Sequence, residues 1–233
     1  MINVQQALIF AGGKGVRMKK NLLPPQGKPF LTYKHKPLLW YVVKSCAEAG
    51  ITNIVFAVGG HTQKYVQDIA QQFPIRFSVI ETGGQQTEDS PHIAQKFLQE
   101  KFLVIHGHHM VSKKHIENMR ELSAAHEVVV TAYDTSVYPV SRSGKLLYTG
   151  EKKFVMSDSM HAKTGDVALR NPYVFRKNII DEIQSSKQKT FGACIKKRIE
   201  AGASLGIVYA DMPPEFDYEH EFQKTLEYFD SYN

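Results

Sequence analysis

The sequence predicts an α/β fold, a mainly parallel sheet with helices on both faces, and three observations carry that prediction. Short apolar runs of strand length alternate with longer segments whose apolar residues recur at helical spacing. The runs at residues 6–11, 54–58 and 102–105 close on glycine, at Gly12, Gly59 and Gly107. The connecting segments are long enough for right-handed crossovers, which return each strand parallel to the one before.

Each element has its own reason. Residues 6–11 (QALIFA) are apolar without interruption, as a buried strand is. Residues 37–49 (PLLWYVVKSCAEA) are helical, with Leu38, Leu39, Val42, Val43 and Cys46 along one stripe; Pro37 suits the first turn and Gly50 the stop. Residues 54–58 (IVFAV) form a second strand, 62–73 a helix and 76–80 a third strand. Residues 102–105 (FLVI) form a fourth strand, and 113–125 a helix behind Ser112, a natural N-cap. Residues 128–133 are a further strand. Ligands of such sheets bind beyond the carboxyl ends of the strands, where the strand order reverses. The loops after Ala11, Val58, Ile80 and Ile105 are therefore expected to line the site.

The second half is less regular. Residues 145–156 read as short antiparallel pieces, followed by a polar stretch (SDSMHAKTGD) and a strand at 167–170. Helices at 178–185 and 190–201, a strand at 205–209 and a helix at 218–232 complete the chain. Internal repeats and Gly/Ser- or Pro-rich linkers are missing from the sequence. One domain over 1–233 is expected, with halves 1–135 and 136–233 and a small irregular β-containing distal lobe.

Composition narrows the class. Hydrophobic residues at 42% and charged residues at 22% are ordinary for a globular protein and argue against disorder. The two cysteines, Cys46 and Cys194, match no metal or redox spacing and fit a reducing compartment. Residues 1–11 read as a strand rather than a signal peptide, and no stretch approaches a membrane span, so a cytoplasmic protein with no membrane partner is expected. The net charge of +6 raises the question of nucleic acid, but the basic residues crowd between Lys14 and Lys36 around a glycine-rich turn. Such a local cluster suits a compact polyphosphate, and no nucleic-acid partner is expected.

That turn reads Ala11, Gly12, Gly13, Lys14, Gly15, Val16, Arg17, Met18 and follows the first strand directly. Glycines let backbone N–H groups approach phosphate oxygens, and successive N–H groups form an anion nest. Arg17 adds a planar fork suited to phosphate and Lys14 a mobile charge. The spacing matches neither the Walker A loop nor the dinucleotide G-x-G-x-x-G.

The run ALIFAGGKGVRM, followed by GKPFLTYKHKPLLWYVVKSCAEAGITNIVFAVG, resembles the nucleotidyltransferase superfamily that makes nucleotide sugars and related activated alcohols. Members carry a signature like A-[AG]-G-x-G-x-R-[LM], then P-K-x-L, then G-x-P-[LM]-[LI] and a helix closing on A-G-[IV]. Gly12, Gly13, Gly15 and Arg17 match the loop, Lys36-Pro37-Leu38-Leu39 the start of the helix, and Ala49-Gly50-Ile51 its close. The match covers about the first sixty residues well and the rest loosely. Lys28 stands where the motif lysine belongs, although Gly27 replaces the usual proline; Lys20 is the alternative registration.

The resemblance implies a Rossmann-like sheet of the GT-A type and transfer of a nucleoside monophosphate from an NTP to a sugar or polyol phosphate, with pyrophosphate release. Arg17 and Lys28 would stabilise phosphate charge, and Ala11, Gly12, Gly13, Lys14, Gly15 and Gln85 would hold the nucleotide. A divalent metal, Mg²⁺ or Mn²⁺, would be held by the equivalents of two aspartates. Asp217, before the last helix, matches the second and also suits an N-cap. The first is replaced by His108, in FLVIHGHHMV. Imidazole is a poor ligand for Mg²⁺.

Three readings of His108 follow. It takes a softer metal, with His106 or His109; or Glu88 or Asp89 substitutes; or turnover is lost and a nucleotide- or nucleotide-sugar-binding protein remains. Alternation along the strand puts His106 and His108 on one side and His109 on the other. Elsewhere, Gly83, Gly84, Gln85 and Gln86 could meet a base edge, and Glu151-Lys152 and Thr164-Gly165-Asp166 an acceptor. A glycosyltransferase of related topology would need a D-x-D motif at a strand end, which the sequence lacks. A homo-oligomer is left open.

Overall fold

The computed structural model describes residues 4–12, 18, 23–82, 90–138, 144–149, 153–157, 165–185, 190–213, 216 and 219–231. In chain order the elements are β1 (Gln6–Phe10), β2 (Thr32–Tyr33), β3 (Lys36–Pro37), α1 (Leu38–Glu48), β4 (Asn53–Val58), α2 (Gln63–Ala70), β5 (Arg76–Glu81), α3 (Ser90–Ala94) and β6 (Lys101–His106). Then follow α4 (Lys113–Leu122), β7 (Val128–Asp134), β8 (Gly144–Thr149), β9 (Lys153–Ser157), β10 (Val167–Arg176), α5 (Ile179–Ser185), α6 (Phe191–Glu200), β11 (Leu205–Tyr209) and α7 (Glu219–Ser231).

The main sheet has the order β11-β7-β10-β6-β1-β4-β5, with β8 and β9 branching from β10. β1, β4, β5 and β6 pair in parallel, as do β7 and β11. Residues of β1 divide between two cores by alternation. Ala7 and Ile9 face a cluster with Leu39, Val42, Val43, Val66, Ile116 and Met119 from α1, α2 and α4. Leu8 and Phe10 face a cluster with Ala94, Ile179, Ile180, Ile183, Cys194 and Ile195 from α3, α5 and α6. Helices thus cover both faces, and the unbroken apolar runs follow from that burial.

The strand expected at 167–170 is longer than its sequence suggested. β10 runs through Val167–Arg176 and lies antiparallel between β6 and β7. Asn171-Pro172 looks like a strand breaker, since proline removes a ladder donor. The sheet accommodates it with a bulge: the register against β7 shifts between Arg170 and Tyr173. On its other edge β10 pairs with β8 through Val167, Ala168 and Leu169, then with β6 through Tyr173 to Arg176. The antiparallel β8–β9 pair hangs from this branch, where a small irregular lobe was expected.

Local chemistry accounts for the remaining junctions. Ser112 caps α4 by accepting from the His115 N–H at 3.0 Å, and Thr190 caps α6 by accepting from Ala193 N–H at 3.2 Å. Lys34 and His35 adopt positive φ (41° and 65°) between Tyr33 and Lys36, the two-residue hairpin turn that matches strand twist. That hairpin escaped the sequence reading because neither residue is Asn or Gly. Met18, Leu31, Tyr33, Leu38, Phe216 and Phe222 form a third cluster, which brings the start of α7 against the segment after β1. Among the described residues, no helix is long and apolar enough to cross a membrane.

Candidate active site

The chain leaves β1 for β4 and β5 on one side, then returns to place β6 on the other. The strand order therefore reverses between β1 and β6, and the crevice at their carboxyl ends is where a doubly wound sheet binds ligands. Two glycines make the crevice close-fitting. A Cβ on Gly12 would lie 2.7 Å from the Gly59 backbone N and 3.0 Å from the Val58 carbonyl carbon. Backbone therefore packs on backbone where the chain departs β1, and Ala11, buried beside it, donates its N–H to Ala57 O at 2.8 Å. A Cβ on Gly107 would come within 3.1 Å of the Phe10 carbonyl oxygen, and Gly107 N–H donates to that same oxygen at 2.8 Å. The loop after β6 is thereby tied to the last residue of β1, and the start of the loop after β1 to the end of β4. Gly13, Lys14, Gly15 and Arg17 lie outside the described residues, as does Gln85.

Lys28 opens a short 3-10 turn, Lys28–Phe30, behind Gly27 at φ 94°. Its side chain is buried, and Nζ donates to the Phe216 carbonyl at 2.7 Å and stands 5.5 Å from the Phe216 ring centroid. The Phe216 ring also meets His108 edge-on at 5.5 Å. Lys28, His108 and Phe216, distant in sequence, thus converge beside the switch point. Phe216 precedes Asp217, which lies outside the described residues, as does the alternative lysine, Lys20.

The three histidines at and after the end of β6 have different surroundings. His106 and His108 stack, with centroids 5.6 Å apart and planes at 15°. His109 turns inward and is buried, its Nε2 2.7 Å from the Tyr133 hydroxyl and its Nδ1 2.9 Å from Asn171 Oδ1. Asn171 comes from the β10 bulge and also meets His106, through Nδ2 to Nδ1 at 3.0 Å and through Oδ1 to the backbone N–H at 3.2 Å. Sequence reading missed Asn171, Tyr133 and Phe216. The dipeptide Asn171-Pro172 was the only local signal, and its meaning depends on which strand lies beside it.

This network bears on the metal reading. Both ring nitrogens of His109 have protein partners, and so does the Nδ1 of His106. Among the described residues, no group of three or more His, Cys, Asp or Glu is placed to hold a metal. His108 supplies nitrogen where Mg²⁺ prefers hard oxygen. The described donors do not fit a Mg²⁺ site.

The model of the MobA-like NTP transferase domain matches residues 7–201. The chain belongs to this family. Among relatives of this chain, the 2-C-methyl-D-erythritol 4-phosphate cytidylyltransferase of Clostridium botulinum (strain Eklund 17B / Type B) is 31% identical over 119 residues, 48% of this chain and 50% of that protein. The mannose-1-phosphate guanyltransferase of Gibberella zeae is 23% identical over 205 residues, 82% of this chain and 56% of that protein. The chain spans about half the length of these curated relatives. The inositol-1-phosphate CTP transferase from T. maritima shares the fold with TM-score 0.77 at 14% identity, over 97% of this chain and 95% of that one. UDP-glucose pyrophosphorylase complexed with UDP-glucose does so with TM-score 0.73 at 15% identity, over 99% of this chain and 100% of that one.

Proposed function

We propose that this chain moves a nucleoside monophosphate from an NTP to a phosphorylated sugar or polyol. An acceptor phosphate oxygen attacks the α-phosphorus, the bond from that phosphorus to the β-bridging oxygen breaks, and pyrophosphate leaves. The attacking oxygen is already ionised, so the protein's task is orientation and charge stabilisation rather than proton removal. The observation that carries the reading is the convergence of the end of β1, the β6 loop and Lys28 at the sheet's switch point.

In this reading Ala11, Gly12, Gly13, Lys14 and Gly15 cradle the triphosphate with backbone N–H groups, and Arg17 neutralises its outer oxygens. Lys28 supports the charge that shifts from the α-phosphate onto pyrophosphate. Gln85 meets the base. Residues 1–135 serve the nucleotide and 136–233 the acceptor. Asp217 stands as the proposed carboxylate near the phosphates, and no step is assigned to a metal. His108, where a carboxylate is expected, favours a second reading in which nucleotide is bound without turnover.

One assay separates the two. The protein is incubated with each NTP, a panel of sugar and polyol phosphates, and Mg²⁺ or Mn²⁺, and pyrophosphate release is measured. Release with one pairing is expected. Absence of release with NTP binding intact would favour the binding protein. Absence of NTP binding, or binding unchanged in Arg17→Ala, would overturn both.

A further inference from the structure

His115 and Asp211 face each other in a buried corner that the proposed chemistry does not use. His115, on α4, is 2% exposed. Its Nε2 lies 2.9 Å from Thr131 Oγ1 on β7, and its Nδ1 lies 3.9 Å from Asp211 Oδ1. The Thr131 hydroxyl has one hydrogen, which it donates to the Pro172 carbonyl at 2.9 Å; Met119 Sδ, at 3.7 Å, is a weaker acceptor. Thr131 Oγ1 therefore accepts from His115 Nε2–H, and the neutral ring keeps its lone pair on Nδ1. That nitrogen faces two further acceptors, the Asp211 carboxylate and the Tyr209 carbonyl. Asp211 Oδ1 is buried and has no hydrogen-bond donor among the described residues. A second proton on the His115 ring would land on Nδ1 and supply one.

Asp211 also connects two approaches to the candidate site. Its Oδ2 accepts from the Ser112 hydroxyl, and Ser112 caps α4 at the end of the loop from β6 that carries His108. Its backbone carbonyl accepts from the Tyr228 hydroxyl of α7 at 3.1 Å. Five residues on, Phe216 accepts from Lys28 at its carbonyl and meets His108 with its ring. Met212, next to Asp211, packs in the same cluster as Phe216 and Met18. A displacement of Asp211 is therefore passed by packing to the residue that seats Lys28.

The groups around His115 leave Asp211 as the charge that acts on it. β7 presents the Thr131 hydroxyl, β10 the Pro172 carbonyl behind it, and the end of β11 the Tyr209 carbonyl. On α4 itself Lys113 and Lys114 are exposed, Lys113 beside Glu117 at 3.5 Å, and Arg120 donates to the carbonyls of Val4 and Ala49. α1 meets the same side of α4 through the apolar cluster of Leu39, Val42, Val43, Ile116 and Met119. Burial pushes the imidazole below its ordinary 6.5, against the pull of the Asp211 carboxylate and the Tyr209 carbonyl. The ring is thus neutral at pH 8 and takes its second proton below pH 6.5.

We propose that Asp211 is a positioning residue for the candidate site and that His115 is the proton acceptor controlling it. With His115 neutral, Asp211 rests on Ser112 and Phe216 stays seated on Lys28. A proton on Nδ1 draws Oδ1 in to a charge-assisted bond of about 2.8 Å, shifts Asp211 toward α4 and loosens that seat. The proposal rests on the nucleotidyl-transfer reading only in taking the site to be one for NTP.

The test begins without ligand, on the full chain labelled with ¹⁵N-histidine and ¹³C-methyl methionine, between pH 8 and pH 5. His115 is expected as the Nε2–H tautomer at pH 8, with a protonation midpoint below 6.5. The Met212 and Met18 methyl resonances are expected to move with that midpoint. In Asp211→Asn the amide NH₂ donates to the neutral Nδ1, so the His115 midpoint should fall further and the methyl steps should vanish. Isothermal titration with ATP, CTP, GTP and UTP at pH 8 and pH 5.5 follows. For the NTP that binds, affinity is expected to weaken on acidification about 5-fold more in the wild type than in Asp211→Asn, the low end of coupling between two sites. Protonation of the NTP itself is common to both proteins and cancels. His115→Gln, which keeps a donor for Thr131 but takes up no proton, should lose the same pH dependence.

Asp211 is 36% exposed, so Asp211→Asn reports even if His115→Gln does not fold. A neutral His115 found as Nδ1–H overturns the proposal, as does a His115 titration with no step at Met212. Equal pH dependence of NTP affinity in wild type and Asp211→Asn also overturns it, with the nucleotidyl-transfer reading left standing. A wild-type protein that binds no NTP at pH 8 overturns that reading and the link to substrate, while the methyl steps by themselves decide whether His115 moves the segment.

Discussion

The Lys28 ammonium donates to the Phe216 carbonyl at 2.7 Å, joining the segment behind β1 to the segment that leads into α7. The contact is buried, and the Phe216 ring lies beside the same ammonium. A cation enclosed this way has few solvent partners, so its charge acts strongly on whatever anion enters the crevice.

Replacing Lys28 with Met keeps the length and apolar stem while removing the charge and the hydrogen bond. Loss of a charged donor costs about 1.5–3 kcal/mol, so kcat/KM for pyrophosphate release is expected to fall roughly 10- to 100-fold. Steady-state kinetics check this, and a thermal melt alongside separates a folding defect from a lost charge. Unchanged kinetics would remove Lys28 from the site.

Gly12→Ala is expected to destabilise the chain by about 1–3 kcal/mol, because its Cβ would press on the backbone of Val58 and Gly59 rather than on a movable side chain. NTP affinity should fall with it, since the loop after β1 must shift. Urea unfolding and isothermal titration with NTP measure the two effects. A stable Gly12→Ala protein with full affinity would show that this close approach is dispensable.

Tyr133→Phe removes the hydroxyl that meets His109 Nε2 at 2.7 Å and leaves that buried nitrogen without it. An unsatisfied buried acceptor costs about 1–3 kcal/mol, which a urea midpoint at constant m-value would report. A shift under about 0.5 kcal/mol, the size of an ordinary surface substitution, would mean another group takes over the bond.

Cys46 is fully buried, and burial pushes its thiol from the ordinary 9.0 up to about 12. Between those values the unfolded chain releases the proton and the folded chain keeps it. Stability from this group is therefore complete below about pH 9 and declines as pH rises toward 12, by about 1.4 kcal/mol per pH unit. Cys46→Ala should remove that component of the alkaline slope, as read from urea midpoints between pH 8 and 10.5. Below pH 9 the folded protein should react with a thiol reagent at Cys46 only as fast as it opens. An identical slope in both proteins would show that the thiol does not govern the alkaline loss.

How far the site was legible depends on distance along the chain. The glycine loop, the lysine at 28 and the His108 substitution stand within short motifs, and adjacent residues settle what backbone they permit. The hairpin at Lys34-His35 was local too, yet its residues are unusual for positive φ, so it did not stand out. Asn171 could not be read as a partner of His109 and His106, because they lie 62 and 65 positions away and a proline follows it.

The sequence by itself determined the alternation of strands and helices and the membership of the family, since periodicity, capping and short motifs act over a few residues. Tertiary structure decided that β10 lies between β6 and β7, that Lys28 meets Phe216 across 188 positions, and which histidine faces the core. Strand neighbours and buried hydrogen bonds are chosen by how all the apolar faces pack at once, and no short window of sequence holds that information.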